Sequence, residues 1–358
     1  MVGGGPALQN SRKSFEANAT EAPTRRLWEK KDSAFTPASD GESLYFARSY
    51  DSVLTRIDPT DGTETWNTDL NIGGAEFPPA IHDGTAFVPG FGGVVAVETD
   101  SGEVAWSTDE VLSASAPPTV ADGSLYVVSG AEPDSPAGVV SLSTDDGSVE
   151  WTAPGDFRGP AAVDDGTLVV RAEEHGGAAI DAESGDVLWE SSEHLFDTPL
   201  SVADGYAVGV TDRDGASDTI GRALVRLDLE TGETRWTRDV DARYPPGVAI
   251  AGDEVFVHDT DRITGYELDD ATVTTEIRYP GAAGPLVVAD DGFLLGTWDG
   301  EAARVDRDGT QRWVMTVRRV RREDMVQHAV YSLLHDGSRP VVTSYGGDVY
   351  VPEAPATE

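Results

Sequence analysis

Short apolar stretches alternate with polar turns along nearly the whole chain, and none keeps the helical period over several turns. The local rule is visible in "PPTVADGSLYVV" and "GPAAVDDGTLVV": an apolar run, Asp-Gly, another apolar run. Asp-Gly between such runs predicts a two-residue hairpin, because both central residues take positive φ. The pairs recur at Asp40-Gly41, Asp83-Gly84, Asp122-Gly123, Asp165-Gly166, Asp204-Gly205, Asp291-Gly292 and Asp336-Gly337, with Gly252-Asp253 in the same place of the sixth unit.

A second phrase follows every hairpin but the last. "IDPTDGTETW" ends at Trp66, "VETDSGEVAW" at Trp106, "LSTDDGSVEW" at Trp151, "IDAESGDVLW" at Trp189, "LDLETGETRW" at Trp236 and "VDRDGTQRW" at Trp313. A decayed copy, "LDDATVTTEI", places Ile277 where a tryptophan is expected. Each unit thus predicts four short strands, with the Asp-Gly turn after the first and the tryptophan phrase between the third and fourth. A period of about 40 residues marks a solenoid or a propeller, and four antiparallel strands per repeat select the propeller blade.

There are eight hairpins and seven phrases. The last unit, "VYSLLHDGSRPVVTSYGGDVYVPEA", supplies three strands, while Trp28 in "RRLWEKK" is a fourth strand with no blade before it. The fragments complement each other, so the expectation is an all-β, eight-bladed propeller over residues 25–353, closed by pairing of its terminal segments. Residues 1–24 and 354–358 are expected as tails. In every phrase the aspartate accepts hydrogen bonds from turn amides, the glycine supplies positive φ, and the tryptophan packs between blades. Trp28, Trp66, Trp106, Trp151, Trp189, Trp236 and Trp313 are therefore structural.

Charge changes the picture next. The net formal charge is −38, from 64 acidic and 26 basic residues, and the only lysines are Lys13, Lys30 and Lys31. Self-repulsion at this density opposes a compact state in dilute salt. At molar salt the Debye length is about 3 Å and the repulsion is screened. The composition predicts a halophilic protein. It also argues against nucleic acid, which needs a basic surface. With no cysteine, disulfides and thiolate chemistry are excluded. No apolar run reaches transmembrane length, and the opening residues lack the apolar core of a signal peptide. A cytoplasmic monomer is expected, with export or a cell-surface location as the alternative if the true start lies upstream.

The repeated pattern Asp-x-x-Thr-Gly-x-x-x-Trp resembles the PQQ-like, quinoprotein-type β-propeller repeat family over roughly residues 25–353. That family includes quinoprotein dehydrogenases, the propeller lipoprotein of the bacterial outer-membrane assembly complex, and stand-alone propellers. The dehydrogenases are longer, usually carry a vicinal disulfide, and hold calcium and a catalytic aspartate on inserted loops. This chain has no cysteine and mostly short loops, so neither PQQ nor calcium is expected. The assembly lipoprotein's lipidated cysteine is missing too. The resemblance implies a non-catalytic binding or scaffold propeller, with a quinone- or metal-dependent oxidoreductase as the alternative.

No nucleophile elbow, P-loop or zincin motif is present. The six histidines are scattered, "GFGG" at 90–93 is a strand connection, and "DRDGASD" lacks the closing carboxylate of a calcium loop. Recognition chemistry is expected where the second and third strands of each unit connect, because loops on a rigid scaffold carry function. These loops hold Arg48, Tyr50, Phe91, Glu174, His175, Arg213, His258, Asp259, Trp298, Asp299 and Tyr345, with longer insertions in "GAEPDSPAG" and "TDRDGASDTIGR". One dense basic cluster, including Arg321 and Arg322, precedes the last unit and predicts a site for an acidic partner or anionic ligand. The expected partner is a protein or small ligand on this loop face.

Overall fold

The computed structural model describes residues 26–30, 37–48, 52–75, 77–111, 113–130, 137–172, 176–191, 193–194, 196, 198–212, 222–240, 248–258, 262–279, 282–289, 292–297, 301–316, 321–322, 325–326, 330–335, 340–344 and 349–352. These form no helix, and their regular structure is eight four-stranded antiparallel sheets and one two-stranded ribbon. In the first seven sheets the strand order follows the chain. Sheet 1 comprises Ala38–Ser39, Leu44–Arg48, Val53–Ile57 and Glu64–Asp69. The first strands of sheets 2 to 7 are Ala80–His82, Thr119–Ala121, Phe157–Asp164, Ser201–Ala203, Val248–Ala251 and Ala282–Ala289. Their fourth strands are Val104–Thr108, Val149–Pro154, Val187–Ser191, Thr234–Val240, Val273–Arg278 and Gln311–Thr316.

Sheet 8 departs from chain order. Val330–His335, Pro340–Ser344 and Val349–Pro352 are joined by Arg26–Lys30 as the fourth strand. Arg26 lies opposite Pro352, Glu29 opposite Tyr350 and Lys30 opposite Val349. The terminal segments therefore share one sheet, as the sequence predicts.

First strands of neighbouring sheets lie against one another, which places them innermost. Fourth strands are mostly exposed and lie outermost. Between sheets lie apolar layers built from alternate positions of the middle strands. Tyr45 and Leu54 meet Val88 and Val95 between sheets 1 and 2. Val128 and Val139 meet Val170 and Ile180 between sheets 3 and 4, and Phe46 and Ile57 meet Val341 and Val349 between sheets 1 and 8. Each such side chain contributes roughly 1.5–3 kcal/mol when fully buried. The core is a set of layers arranged around the inner strands.

The repeated phrase has a second use that its spacing does not reveal. The indole nitrogens of Trp66, Trp106, Trp151, Trp189 and Trp236 donate to the carbonyls of Thr99, Thr144, Ala182, Leu229 and Leu268, at distances of 2.8 to 3.0 Å. Each acceptor is in the phrase of the next sheet. Trp66, Trp106, Trp151 and Trp189 also lie on the next sheet's turn glycine. A Cβ there would stand 2.8 Å from Trp66 at Gly102, 2.5 Å from Trp106 at Gly147, and 2.6 Å from Trp151 at Gly185 or from Trp189 at Gly232. The glycine thus serves positive φ and a neighbour's ring together. The acceptor residue's own amide bonds back to its sheet's first hairpin, as from Thr99 to Gly84 at 2.8 Å. One residue, through its amide and its carbonyl, links both sequence markers to the preceding sheet.

Among the described residues, Trp66, Trp106, Trp151 and Trp236 are half-buried and Trp189 and Trp313 are buried, because these rings cover a surface turn of the next sheet. Two expectations need correction. Strand register puts Thr275, opposite Gly265, at the place Trp236 holds opposite Arg226. Ile277 lies two residues beyond the tryptophan position. Asp83, Asp122, Asp165 and Asp204 take the positive φ of a two-residue turn, with their glycines, but Asp40 does not. Ser39 pairs with Leu44, leaving a four-residue turn in which the Asp40 carboxylate accepts from the amides of Glu42 at 2.8 Å and Ser43 at 2.7 Å. The side chain of Trp28 lies outside the described residues.

Candidate interaction face

Antiparallel order puts the hairpins between first and second strands, and between third and fourth, at one end of the ring. Connections between second and third strands, and from sheet to sheet, collect at the other. In the sequence, the residues predicted for recognition fall in or beside these connections. Tyr50, His175, Trp298, Asp299 and Tyr345 lie outside the described residues, as do Glu174, Arg213 and Asp259. Arg321 and Arg322 form one strand of the ribbon between sheets 7 and 8, opposite Val326 and Met325.

Phe91 is the best-defined member. It sits in the tight connection between Thr85–Gly90 and Gly93–Glu98 of sheet 2, and it is 45% exposed. Its backbone is fixed from both sides. The Phe91 amide donates to the Gly73 carbonyl at 3.1 Å, the Gly73 amide donates back at 2.6 Å, and a further bridge joins Phe91 to Ser113. Gly90 allows this approach: a Cβ there would stand 2.7 Å from Ile72 and 2.8 Å from the Gly74 carbonyl. The "GFGG" run is thus a close-packing connection, as expected.

The belt extends in both directions. On the sheet 1 side, the Ser52 hydroxyl bonds the Ile72 carbonyl and accepts from the Gly74 amide at 3.1 Å. Toward sheet 3, Gly130 donates to Ser113, and Ser115 donates to Val128, both at 2.8 Å. Sequence reasoning found Phe91 and missed this frame, since Gly73 and Ser113 carry no signal beyond their loop composition.

Two other expected members differ. His258, predicted for the rim, is 1% exposed at the end of Glu254–His258 and belongs to the interior. It ends the continuous buried run Val255, Phe256, Val257, whose side chains pack into the apolar layers on both faces of the sheet. Arg48 is half-buried at the end of its strand.

Chemistry at the described part of this face is that of contact: one half-exposed phenyl ring carried on a hydrogen-bonded backbone. Among the described residues no three His, Cys, Asp or Glu side chains gather to hold a metal ion. A groove of about 450 Å3 runs elsewhere, between sheets 2 and 3, lined by Ser107, Thr108, Glu110, Asp146 and Ser148 among others. None of the predicted residues lines it. Titration is shifted mainly at the hairpin end. A backbone hydrogen bond from Ser184 holds the Asp181 carboxyl below its ordinary value, and the Arg235 guanidinium does so for Asp228.

The fold and this face define an all-β propeller with an architectural end and a connecting end. A family profile described as outer membrane protein assembly factor BamB matches residues 50–153, 133–217 and 202–355. The chain belongs to that family of PQQ-like β-propellers. An outer membrane protein assembly factor BamB of Burkholderia pseudomallei (strain K96243) is 27% identical over 207 residues, 56% of this chain and 52% of the relative. The match thus spans about half the length of that relative. Among solved structures, BamB from Moraxella catarrhalis shares the fold with a TM-score of 0.67 at 16% identity, covering 91% of this chain and 98% of that one. The computationally designed Ika8 protein gives 0.68 at 13% identity, covering 97% and 99%. Quinohemoprotein alcohol dehydrogenase from Comamonas testosteroni gives 0.64 at 12%, covering 99% and 81%. At these identities the likeness concerns the fold. No helix among the described residues is long and apolar enough to cross a membrane.

Proposed function

We propose that this chain is a non-catalytic scaffold propeller that binds a protein partner through its connecting end. The observation carrying this reading is Phe91, an exposed aromatic ring whose backbone is held by both flanking connections. A pre-ordered aromatic loses little conformational freedom on binding, which is why such residues anchor interfaces. Family membership supports a binding role, because the family profile carries the name of an assembly factor. The ribbon bearing Arg321 and Arg322 sits at the same end, and an acidic segment on the partner suits it.

The same name supports the exported alternative over the cytoplasmic one. Fractionation of the source cells tests that point, with recovery in the cytosol as the outcome that reverses it. For binding, in-cell crosslinking at native salt compares the parent chain with Phe91→Ala and with Arg321→Ser/Arg322→Ser. Loss of the same crosslinked protein in both variants supports the reading. Unchanged crosslinks in both overturn it. Alcohol oxidation by the purified chain with added quinone and calcium would restore the oxidoreductase alternative.

A further inference from the structure

Five seams of the ring share one fastening, and a sixth is built differently. From sheet 1 to sheet 6, an indole reaches forward from each outer strand to the next sheet's turn. Between sheets 6 and 7 the corresponding residue is Thr275, which has no indole to offer. The turn of sheet 7 is one residue shorter than the others but keeps its glycine, with Gly309 at φ 86 and the Asp306 amide bonded to the Thr310 carbonyl at 2.9 Å. Ile277 covers that glycine at 3.4 Å from an added Cβ, a looser contact than any of the tryptophans make.

The connection here runs in the opposite direction. Arg307 follows Asp306, the place held by the carbonyl acceptors Thr99, Thr144, Ala182, Leu229 and Leu268 in the other phrases. Its guanidinium reaches back to the Glu254 carboxylate of sheet 6, and both groups are partly buried. It also lies 4.9 Å from the centre of the Phe256 ring. Thr274 donates its hydroxyl to the same Glu254 at 2.5 Å. Beneath this pair, Phe256 and Phe293 meet edge to face at 5.1 Å. An ion pair therefore closes this seam where an indole closes the five before it, the last of which also carries the Arg226–Asp269 pair beside Trp236.

We propose that the ring opens preferentially between sheets 6 and 7, and that salt favours this opening relative to the clasped seams. Burying an indole removes apolar area from water, which added salt does not weaken. The attraction between Arg307 and Glu254 is partly exposed to solvent and falls as ions screen it. In a chain carrying −38 formal charge, salt stabilises the whole molecule while loosening this one fastening. Opening exposes the Phe256–Phe293 contact and the apolar layer around it.

Hydrogen exchange of the full chain, followed by mass spectrometry, reads the seam directly. The turn at 306–310 is compared with the turn at 143–147 in the same sample. One sample uses the lowest potassium chloride concentration that keeps the chain folded, and the other a molar excess above it. The exchange ratio between the turns should exceed one and rise about threefold with salt, as expected for a modest ion pair. A ratio below one, or one that is flat or falls with salt, overturns the proposal. Arg307→Met keeps the stem over Phe256 and removes the charge. It should raise the low-salt ratio to the parent's high-salt value and abolish the salt dependence. If that variant does not fold, Glu254→Gln reads the same ratio. An unchanged salt dependence in the folded variant overturns the role of the pair.

Discussion

The two ends of the ring are built by opposite rules. At the hairpin end the same hydrogen bonds recur from sheet to sheet. Gly62, Gly102, Gly147, Gly185 and Gly232 each donate to the residue four places earlier, at 2.9 to 3.0 Å. Among the described residues of the connecting end, the double bridge of Phe91 to Gly73 and Ser113 is found at sheets 1 to 3, while single bridges join Ala114 to Ser129 and Phe196 to Thr211. Repetition fits residues that hold neighbouring units together, because every unit faces the same neighbour. Singularity fits residues that meet something outside the ring. The difference places architecture at the hairpin end and, on the function proposed above, recognition at the other.

The largest effect on this contrast should come from the strand at Arg26–Lys30. Deleting residues 1–32 removes the outer strand of sheet 8, whereas deleting 1–20 spares it. The longer deletion should lower the melting temperature sharply and the shorter should not. Equal values would mean that this strand does little to hold the ring.

Next in size is Trp189→Ala. The ring is buried, bonded to Leu229 at 2.8 Å and seated on Gly232. Its loss should cost about 3–5 kcal/mol in denaturant unfolding at molar salt. A loss below about 1 kcal/mol would remove the clasp from the account of stability.

Two glycines separate the seat from the turn. Both have positive φ, at 78° in Gly185 and 85° in Gly123, but only Gly185 lies under an indole. Gly123→Ala should cost roughly 1 kcal/mol of backbone strain. Gly185→Ala should cost about 1–3 kcal/mol more, from overpacking against Trp151. Similar costs at both sites would show that the glycines answer only to φ.

Acid should act on the hairpin end first. Asp181 and Asp228 have carboxyls held below the ordinary 3.8 in the folded chain. Such groups contribute stability that is full above the unfolded value and lost as pH falls through the lower folded values. Melting temperature should therefore drop as pH falls below about 4. Asp181→Ala/Asp228→Ala should flatten that slope. An unchanged slope would assign acid sensitivity to other carboxylates.

The smallest stability effect belongs to Phe91→Ala, expected within about 0.5 kcal/mol despite loss of crosslinking. A large destabilisation would move Phe91 into the architecture.

Much of the hairpin end was legible in the sequence, since Asp-Gly and the tryptophan phrase specify local conformations that repetition made conspicuous. The pairing of Arg26–Lys30 with Val349–Pro352 also followed from counting strands. What escaped was the reach from one unit to the next. A tryptophan and a glycine in one phrase look like partners, yet Trp151 seats on Gly185 of the following phrase. Linear spacing misplaced the sixth unit because Ala271, at φ 58, stands where the other turns carry glycine, so the phrase reads as starting at Leu268 although Tyr266 holds the place of Leu227; Thr275 then takes the tryptophan's place. His258 read as a loop residue because sequence marks where a strand ends less well than where its apolar run begins. The connecting end was legible only as a set of exposed residue types.

The clasps also bear on the order in which the ring assembles. Trp66 meets Thr99, Trp106 meets Thr144 and Trp151 meets Ala182, so these fastenings join units adjacent in the chain. Such neighbour contacts can nucleate anywhere and spread as an arc. The pairing of Arg26–Lys30 with Val349–Pro352 is different, because it spans nearly the whole polypeptide. During synthesis one of the earliest strands made must wait unpaired for one of the last. The growing arc keeps an open flank throughout translation, and that interval is when its exposed edge is most available to a chaperone or to another chain.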